Sequence, residues 1–277
     1  MLKTRIITAL VLIAFLLPSL LWLPPTLWAL LMALLAGVAA WEWGRLMAWQ
    51  GRAGVALGVL TALVCAALTF LDPAAVGADG FMPGSLWVKV LYLSSAAFWC
   101  LLIPFWLRHK WALNGVGGLL VGAVVLLPTW LAIVQLRALG PGVLLAVFAL
   151  VWIADIAAYA AGRLFGKNKL APSISPGKTR EGAYGAAVGV LVYGLLVGHF
   201  FFSSLMPLPW WIVVLLAATA ASIVGDLFES LLKRKAGLKD SSNVLPGHGG
   251  VLDRIDSLTS TLPLVAALWL FCLRGAA

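Results

Sequence analysis

The chain has 277 residues, 63% of them hydrophobic and only 10% charged, against roughly 45–50% apolar and about 25% charged in an ordinary soluble domain. With a mean hydropathy of +1.05, a soluble fold of this size could not cover its apolar surface with polar side chains. A soluble enzyme, a disordered chain and a disulfide-built secreted domain are excluded, and the formal charge of +9 reads as loop charge facing anionic lipid, with no nucleic acid as partner.

A window of about 20 residues predicts nine spans in chain order, roughly 6–22, 25–41, 53–71, 86–107, 115–136, 142–162, 183–203, 209–232 and 255–273. The first follows Lys3 and Arg5 but has no small-x-small cleavage site, and Pro24-Pro25 leads directly into the next apolar run. It is read as a retained span rather than a signal peptide. Pro18 and Pro128 interrupt the first and fifth runs. The expected fold is all-α, a polytopic integral membrane protein with about nine transmembrane helices, because open sheet edges do not survive in lipid. Residues 1–114 are expected to be N-terminal transmembrane helices. Residues 115–277 are expected to be the catalytic region, with cytoplasmic loops 163–182 and 233–254. Cys65, Cys100 and Cys272 sit singly in apolar runs without metal spacing and read as small buried hydrophobes.

Orientation follows from the basic residues. With the N-terminus inside, all of the 19 Lys and Arg except Lys89, Arg137 and Arg274 fall on one face. The 72–85 loop, with Asp72, Asp79 and no basic residue, falls on the other. Ala75 and Pro207 are thus expected outside, and Asn168 and Ser241 inside.

Of the ten acids, Glu42, Asp72 and Asp79 lie early, at span ends or in the outer loop. Asp155, Glu181, Asp226, Glu229, Asp240, Asp253 and Asp256 all lie in or within a few turns of the two long inner loops. A carboxylate inside hydrocarbon costs roughly 2.5–3.5 kcal/mol on insertion scales, so Asp155, Asp226, Asp253 and Asp256 mark function. Asp226 and Glu229, and likewise Asp253 and Asp256, share a helix face. Converging carboxylates beside helix C-termini favour a cation, and all-oxygen ligands suit Mg2+ better than zinc.

Phosphate-type donors surround these acids. The first loop contains Ser175-Pro176-Gly177-Lys178-Thr179-Arg180, with two hydroxyls, cationic side chains and a glycine that lets backbone approach an anion. GxxxxGK[ST] is absent, so it is not a Walker A loop. The second loop runs from Ser230 through Lys233-Arg234 and Lys239-Asp240 to Leu245-Pro246-Gly247-His248-Gly249-Gly250-Val251-Leu252-Asp253-Arg254-Ile255-Asp256.

This second stretch resembles the signature of the phosphatidate cytidylyltransferases, or CDP-diacylglycerol synthases: S-x-x-K-R, four residues, K-D, a spacer, then [LIF]-[PG]-x-H-G-G-x-x-D-R-x-D. Ser175 to Gly182 is similar to the family's S-P-x-K-T-x-E-G element. Asp155 with Ala157, Ala158 and Tyr159 resembles its D-[ST]-x-A-Y segment, with Ala157 where glycine is frequent. The resemblance is strong in the C-terminal half, whereas the N-terminal spans match only in hydropathy. It implies that CTP and phosphatidic acid give CDP-diacylglycerol and pyrophosphate in the cytoplasmic membrane. Mg2+ is implied as cofactor, with a second cation left open, and a homodimer as the assembly. On this reading Asp226, Asp253, Asp256 and Asp155 serve the metal. Lys178, Ser175, Thr179, Arg180, Lys233, Arg234, Lys239, His248, Gly249, Gly250 and Arg254 meet phosphate, nucleotide or lipid.

Two other classes fit parts of the pattern. A cation-coupled transporter would also carry intramembrane acids, but near mid-membrane rather than crowded at one side. A CTP-dependent lipid kinase would need a similar site, but the complete K-D and H-G-G-x-x-D-R-x-D run argues against it.

Overall fold

The computed structural model describes residues 2–49, 51–80, 82–201 and 206–273; Arg274 lies outside them. Helix α1 (Leu2–Trp22) ends before Pro24, and α2 (Pro25–Leu46) starts on Pro25, where no amide hydrogen is needed. After α3 (Arg52–Leu71) comes a single turn, α4 (Pro73–Val76). Asp72 caps that turn by accepting from the Ala75 N–H at 3.2 Å, and it also accepts from Ser85 and Trp87 at 2.8 and 2.9 Å. The next span is α5 (Leu86–Ala97), a π-turn (Phe98–Leu102) and α6 (Ile103–His109). Helices α7 (Gly115–Ala138) and α8 (Pro141–Phe165) follow. Beyond them lie a hairpin, β1 (Lys169–Ala171) and β2 (Ser175–Thr179), then α9 (Arg180–Phe201) and α10 (Leu208–Lys235). The chain closes with the single turn α11 (Leu252–Ile255) and with α12 (Leu258–Leu268), which runs into a π-turn (Trp269–Leu273).

Among the described residues eight helices are long and apolar enough to cross a membrane, and Leu258–Leu273 is a shorter ninth. The protein is therefore an all-α polytopic membrane protein. Pro18 and Pro128 lie inside α1 and α7 without ending them. The polar groups that a proline frees in a spanning helix can be satisfied by neighbouring side chains and helices. The first inner loop is not irregular throughout: Lys169 pairs with Thr179 and Ala171 with Ser175 in an antiparallel ladder. The hairpin lies outside the spanning helices. The last spanning helix begins at Leu258, after a turn at Asp256-Ser257 separates it from α11.

Helices here associate without a hydrophobic drive between them, so small residues and interhelical hydrogen bonds hold them. Helices α2 and α3 cross where Gly37 meets Gly58; a side-chain carbon on either would come within 3.0 Å of the other's carbonyl oxygen. The buried indoles of Trp43 and Trp130 tie α2 to α7, donating to the carbonyls of Gly118 (3.0 Å) and Ala29 (3.2 Å).

The polar contacts gather at two opposite ends of the bundle. At one, Thr26 donates to Ala78 O, and Arg137 donates to the carbonyls of Leu20 and Leu23 while lying over the Trp28 ring. At the other, Thr8 donates to Pro246 O, Arg45 to Ser241 O, and Lys178 pairs with Asp226. The 163–182 and 233–254 loops therefore both sit at the end that carries the start of α1.

Ala75 and Ser241 are buried, so labelling is better read at exposed neighbours. With the native cysteines replaced, single cysteines at Asp79 and Pro207 should react with an impermeant maleimide from outside the cell. Cysteines at Lys167 and Asn243 should react only after permeabilisation. Finding Lys167 and Asn243 on opposite faces would separate the two loops and dismantle the site described below.

Candidate active site

A cleft of about 490 Å³ opens between α8, the hairpin, the start of α9 and α10. Its floor is apolar, with Ala154, Ala158, Leu170, Ala183 and Ile223; its polar lining includes Asp155, Tyr159, Arg163, Ser175, Lys178, Thr179 and Asp226. Asp155 and Asp226 reach it from within their helices, and Lys178 reaches it from β2. The Lys178 ammonium lies 2.5 Å from Asp226, both partly exposed. This pair joins the first inner loop to α10, elements with a complete span between them.

Small residues set the cleft's width. Side-chain carbons on Gly185 or Gly189 of α9 would collide with Ala161 or Ala157 of α8. The base of the hairpin is fixed by Asn168: its carbonyl accepts from the Arg180 N–H at 2.8 Å, and its side-chain amide donates to Glu181 at 2.7 Å. Thr179 is buried, and its hydroxyl accepts from the Gly182 N–H at 3.1 Å, capping the start of α9.

The signature loop forms a second polar centre beside this cleft. Asp253 Oδ1 accepts from the Lys233 ammonium at 2.6 Å. Its Oδ2 accepts from the Ser241 N–H, the Ser241 hydroxyl and the Gly250 N–H, all at 2.8 Å. Burial pushes the Asp253 carboxyl up, but these donors outweigh it and hold the group below the usual carboxylate range. Lys233 also faces Glu229 at 3.0 Å, as an ion pair rather than a hydrogen bond. Lys233 therefore bridges two buried carboxylates of α10 and α11. Gly249 takes φ +84°, and any side chain there would press on Asp253.

The predicted residues thus sort into four groups. Asp155, Ser175, Lys178, Thr179 and Asp226 line the cleft. Asp256 stands between the two centres, within electrostatic reach of Asp155, Asp226 and Lys233, while Arg254 and Lys178 act electrostatically on Asp155. Lys233, Asp253, Gly249 and Gly250 build the second centre, and His248 lies in its loop. The His248 N–H donates to Leu245 O at 2.8 Å, and its Nδ1 is buried without a partner. Arg180, Arg234 and Lys239 are exposed, and their side chains make no hydrogen bond or ion pair among the described residues. Asp253, expected from the sequence to serve a metal, has its Oδ2 taken up by protein donors and its Oδ1 paired with Lys233.

One residue that the sequence reading left without a role belongs here. Glu42 was placed at the end of a span closing at residue 41; helix α2 instead continues to Leu46, and Glu42 is wholly buried against the signature loop. Its signal is the single acid of α2.

Comparison with known proteins decides the family. The sequence profile of the cytidylyltransferase family matches residues 3–272. The chain belongs to the cytidylyltransferase family. It is 42% identical over 276 residues to a phosphatidate cytidylyltransferase of Pseudomonas aeruginosa, covering 97% of each chain. It is 35% identical over 289 residues to one of Haemophilus influenzae, covering 99% of this chain and all of that one. A Brucella suis protein of the same name is 50% identical over 127 residues, 45% of this chain and 44% of that one.

Gly250 offers a direct stability test of the second centre. An added side-chain carbon would run into the Ser241 hydroxyl and the Glu42 carboxylate. Gly250→Ala should lower stability by about 1–3 kcal/mol through overpacking, read as a fall in unfolding temperature. Glycine 177, with nothing near a side-chain carbon, is the control; equal behaviour of Gly177→Ala and Gly250→Ala would refute the packing.

Proposed function

We propose that this chain transfers the cytidylyl group of CTP to phosphatidic acid, giving CDP-diacylglycerol and pyrophosphate. The observation that carries this reading is the Lys178–Asp226 pair at the mouth of an apolar-floored cleft between membrane-spanning helices. A lipid phosphate enters such a cleft with its acyl chains still in the bilayer, while a nucleotide triphosphate arrives from the aqueous side. The relatives are phosphatidate cytidylyltransferases along essentially their whole length. Their bacterial origin and the basic inner loops support the cytoplasmic membrane as location, with the site facing the cytoplasm.

Chemically, a phosphatidate oxygen attacks the α-phosphorus of CTP, the new P–O bond forms, and the bond to the β-phosphate oxygen breaks to release pyrophosphate. No covalent enzyme intermediate is needed, so positioning and charge neutralisation dominate. Lys178 leaves Asp226 for a phosphate oxygen. Arg254, exposed and close enough to act electrostatically on Asp155, supplies a forked donor to a phosphate. Ser175 and the backbone at Gly177 approach the same anion from the hairpin.

The residues fit Mg2+. Asp155, Asp226 and Asp256 form an all-oxygen set within electrostatic reach of one another. Among the described residues no three acidic, His or Cys groups close a cage by themselves. That matches an ion bound through one or two carboxylates plus substrate phosphates. When bound, Mg2+ neutralises triphosphate charge and favours departure of pyrophosphate. Asp253, with its donors in place, holds Lys233 and the loop in position.

The test is purified protein with labelled CTP and phosphatidic acid, read for cytidine entering the lipid fraction. Label from γ-phosphate appearing in lipid would instead indicate a kinase. Chelation should abolish transfer and Mg2+ restore it. Asp226→Asn should remove nearly all activity at saturating Mg2+ while unfolding as the parent does; substantial residual transfer would take Asp226 out of the site.

Lys178→Ala should lower kcat/KM by roughly 100-fold or more, about 2.7 kcal/mol of transition-state stabilisation. Lys167→Ala and Lys169→Ala, exposed on the same loop, should cost under about threefold, because they share only its general attraction to lipid. Equal losses at all three would reduce the loop to a basic membrane-facing surface.

A further inference from the structure

We propose that Glu42, in the second transmembrane helix, is a positioning residue for the reaction, fixing the signature loop so that its nucleotide contacts are preformed. The inference rests on the cytidylyl-transfer reading above. Glu42 has no exposed surface. Its Oε1 accepts from the Ser242 hydroxyl at 2.5 Å and the Val251 N–H at 2.9 Å. Its Oε2 accepts from the Leu252 N–H at 2.7 Å and the Ser241 hydroxyl at 3.1 Å. Hydrogen bonds to an ionised acceptor are about twice as strong as neutral ones, and four donor groups surround this carboxylate, one of them, the Ser241 hydroxyl, shared with Asp253.

The placement of these donors is what gives Glu42 its reach. Val251 and Leu252 immediately precede Asp253, Arg254 and Asp256, so the carboxylate holds the entry to α11. Ser241 touches both carboxylates: its oxygen is 2.8 Å from Asp253 Oδ2 and 3.1 Å from Glu42 Oε2. A hydroxyl has one hydrogen to give, so Ser241 acts as a fixed spacer between the two acids. From Asp253 the chain of contacts continues through Lys233 to Glu229 on α10. Arg45, three residues after Glu42, holds the Ser241 carbonyl. Thr8 of α1 donates to the Pro246 carbonyl at 2.9 Å, and Arg5 packs on Gly247. The N-terminal helices thus grip both sides of the loop that carries His248, Gly249 and Gly250.

The test uses full-length protein in nanodiscs and the isosteric Glu42→Gln, which places an amide donor among four donors. Amide exchange of residues 240–253 should accelerate about tenfold or more while α7 and α8 exchange as in the parent. KM for CTP should rise about fivefold or more together with a fall in kcat. Loss of folded molecules alone would lower kcat and leave KM and loop exchange unmoved; that result, or unchanged kinetics, overturns the proposal. Should Glu42→Gln fail to fold, Ser242→Ala removes one donor and keeps the carboxylate. It should still speed loop exchange and raise KM for CTP about twofold or more, and no change in either overturns the proposal. Exchange is measured without substrate, so a parent protein that does not consume CTP would refute the function while leaving the loop result to be judged separately.

Discussion

A carboxylate withdrawn from water must be surrounded by donors, because an uncompensated buried charge costs several kcal/mol. Asp253 meets that requirement with an ammonium, a hydroxyl and two backbone N–H groups. Those donors come from three separate stretches, so satisfying one side chain dictates the path of the chain from Lys233 through Ser241 to Gly250. Removing one partner would strand a charge, and the penalty for breaking such a buried pair, about 3–5 kcal/mol, is large against the whole stability of a domain. Much of the geometry at the inner end of the bundle follows from this one acid.

The cleft beside it is built on the opposite plan. There the acids Asp155, Asp226 and Asp256 are within reach of one another and of Lys178, Lys233 and Arg254. Here the carboxylates and bases balance in number, but Lys178 and Asp226 are both partly exposed, so their pairing is open to exchange. One centre is closed by buried donors, whereas the other opens onto a cleft.

Hydropathy made the spans legible, because each must bury roughly 20 apolar residues whatever its neighbours do. The signature residues were legible through their spacing. Local pattern could not supply the hairpin: of Ser175-Pro176-Gly177-Lys178-Thr179 only Thr179 favours a strand, and Pro176 and Gly177 disfavour one, yet pairing across a tight loop forms it. Nor could it divide the acids between roles, since an Asp whose oxygens are taken by protein donors looks the same in a sequence as one left open. Glu42 shows the limit most clearly. Its partners lie 199 to 210 residues away, and no window along the chain contains both.

That separation has a consequence in time. Synthesis proceeds at about 5–20 residues per second, so α2 enters the membrane about 10–40 seconds before residues 241–252 leave the ribosome. During that interval Glu42 lacks every one of its final partners. An early helix carrying this carboxylate waits for its donors until the chain is nearly complete. The loop that closes on it is therefore among the last parts to settle, and the inner end of the bundle remains unlocked until almost the whole polypeptide has been inserted.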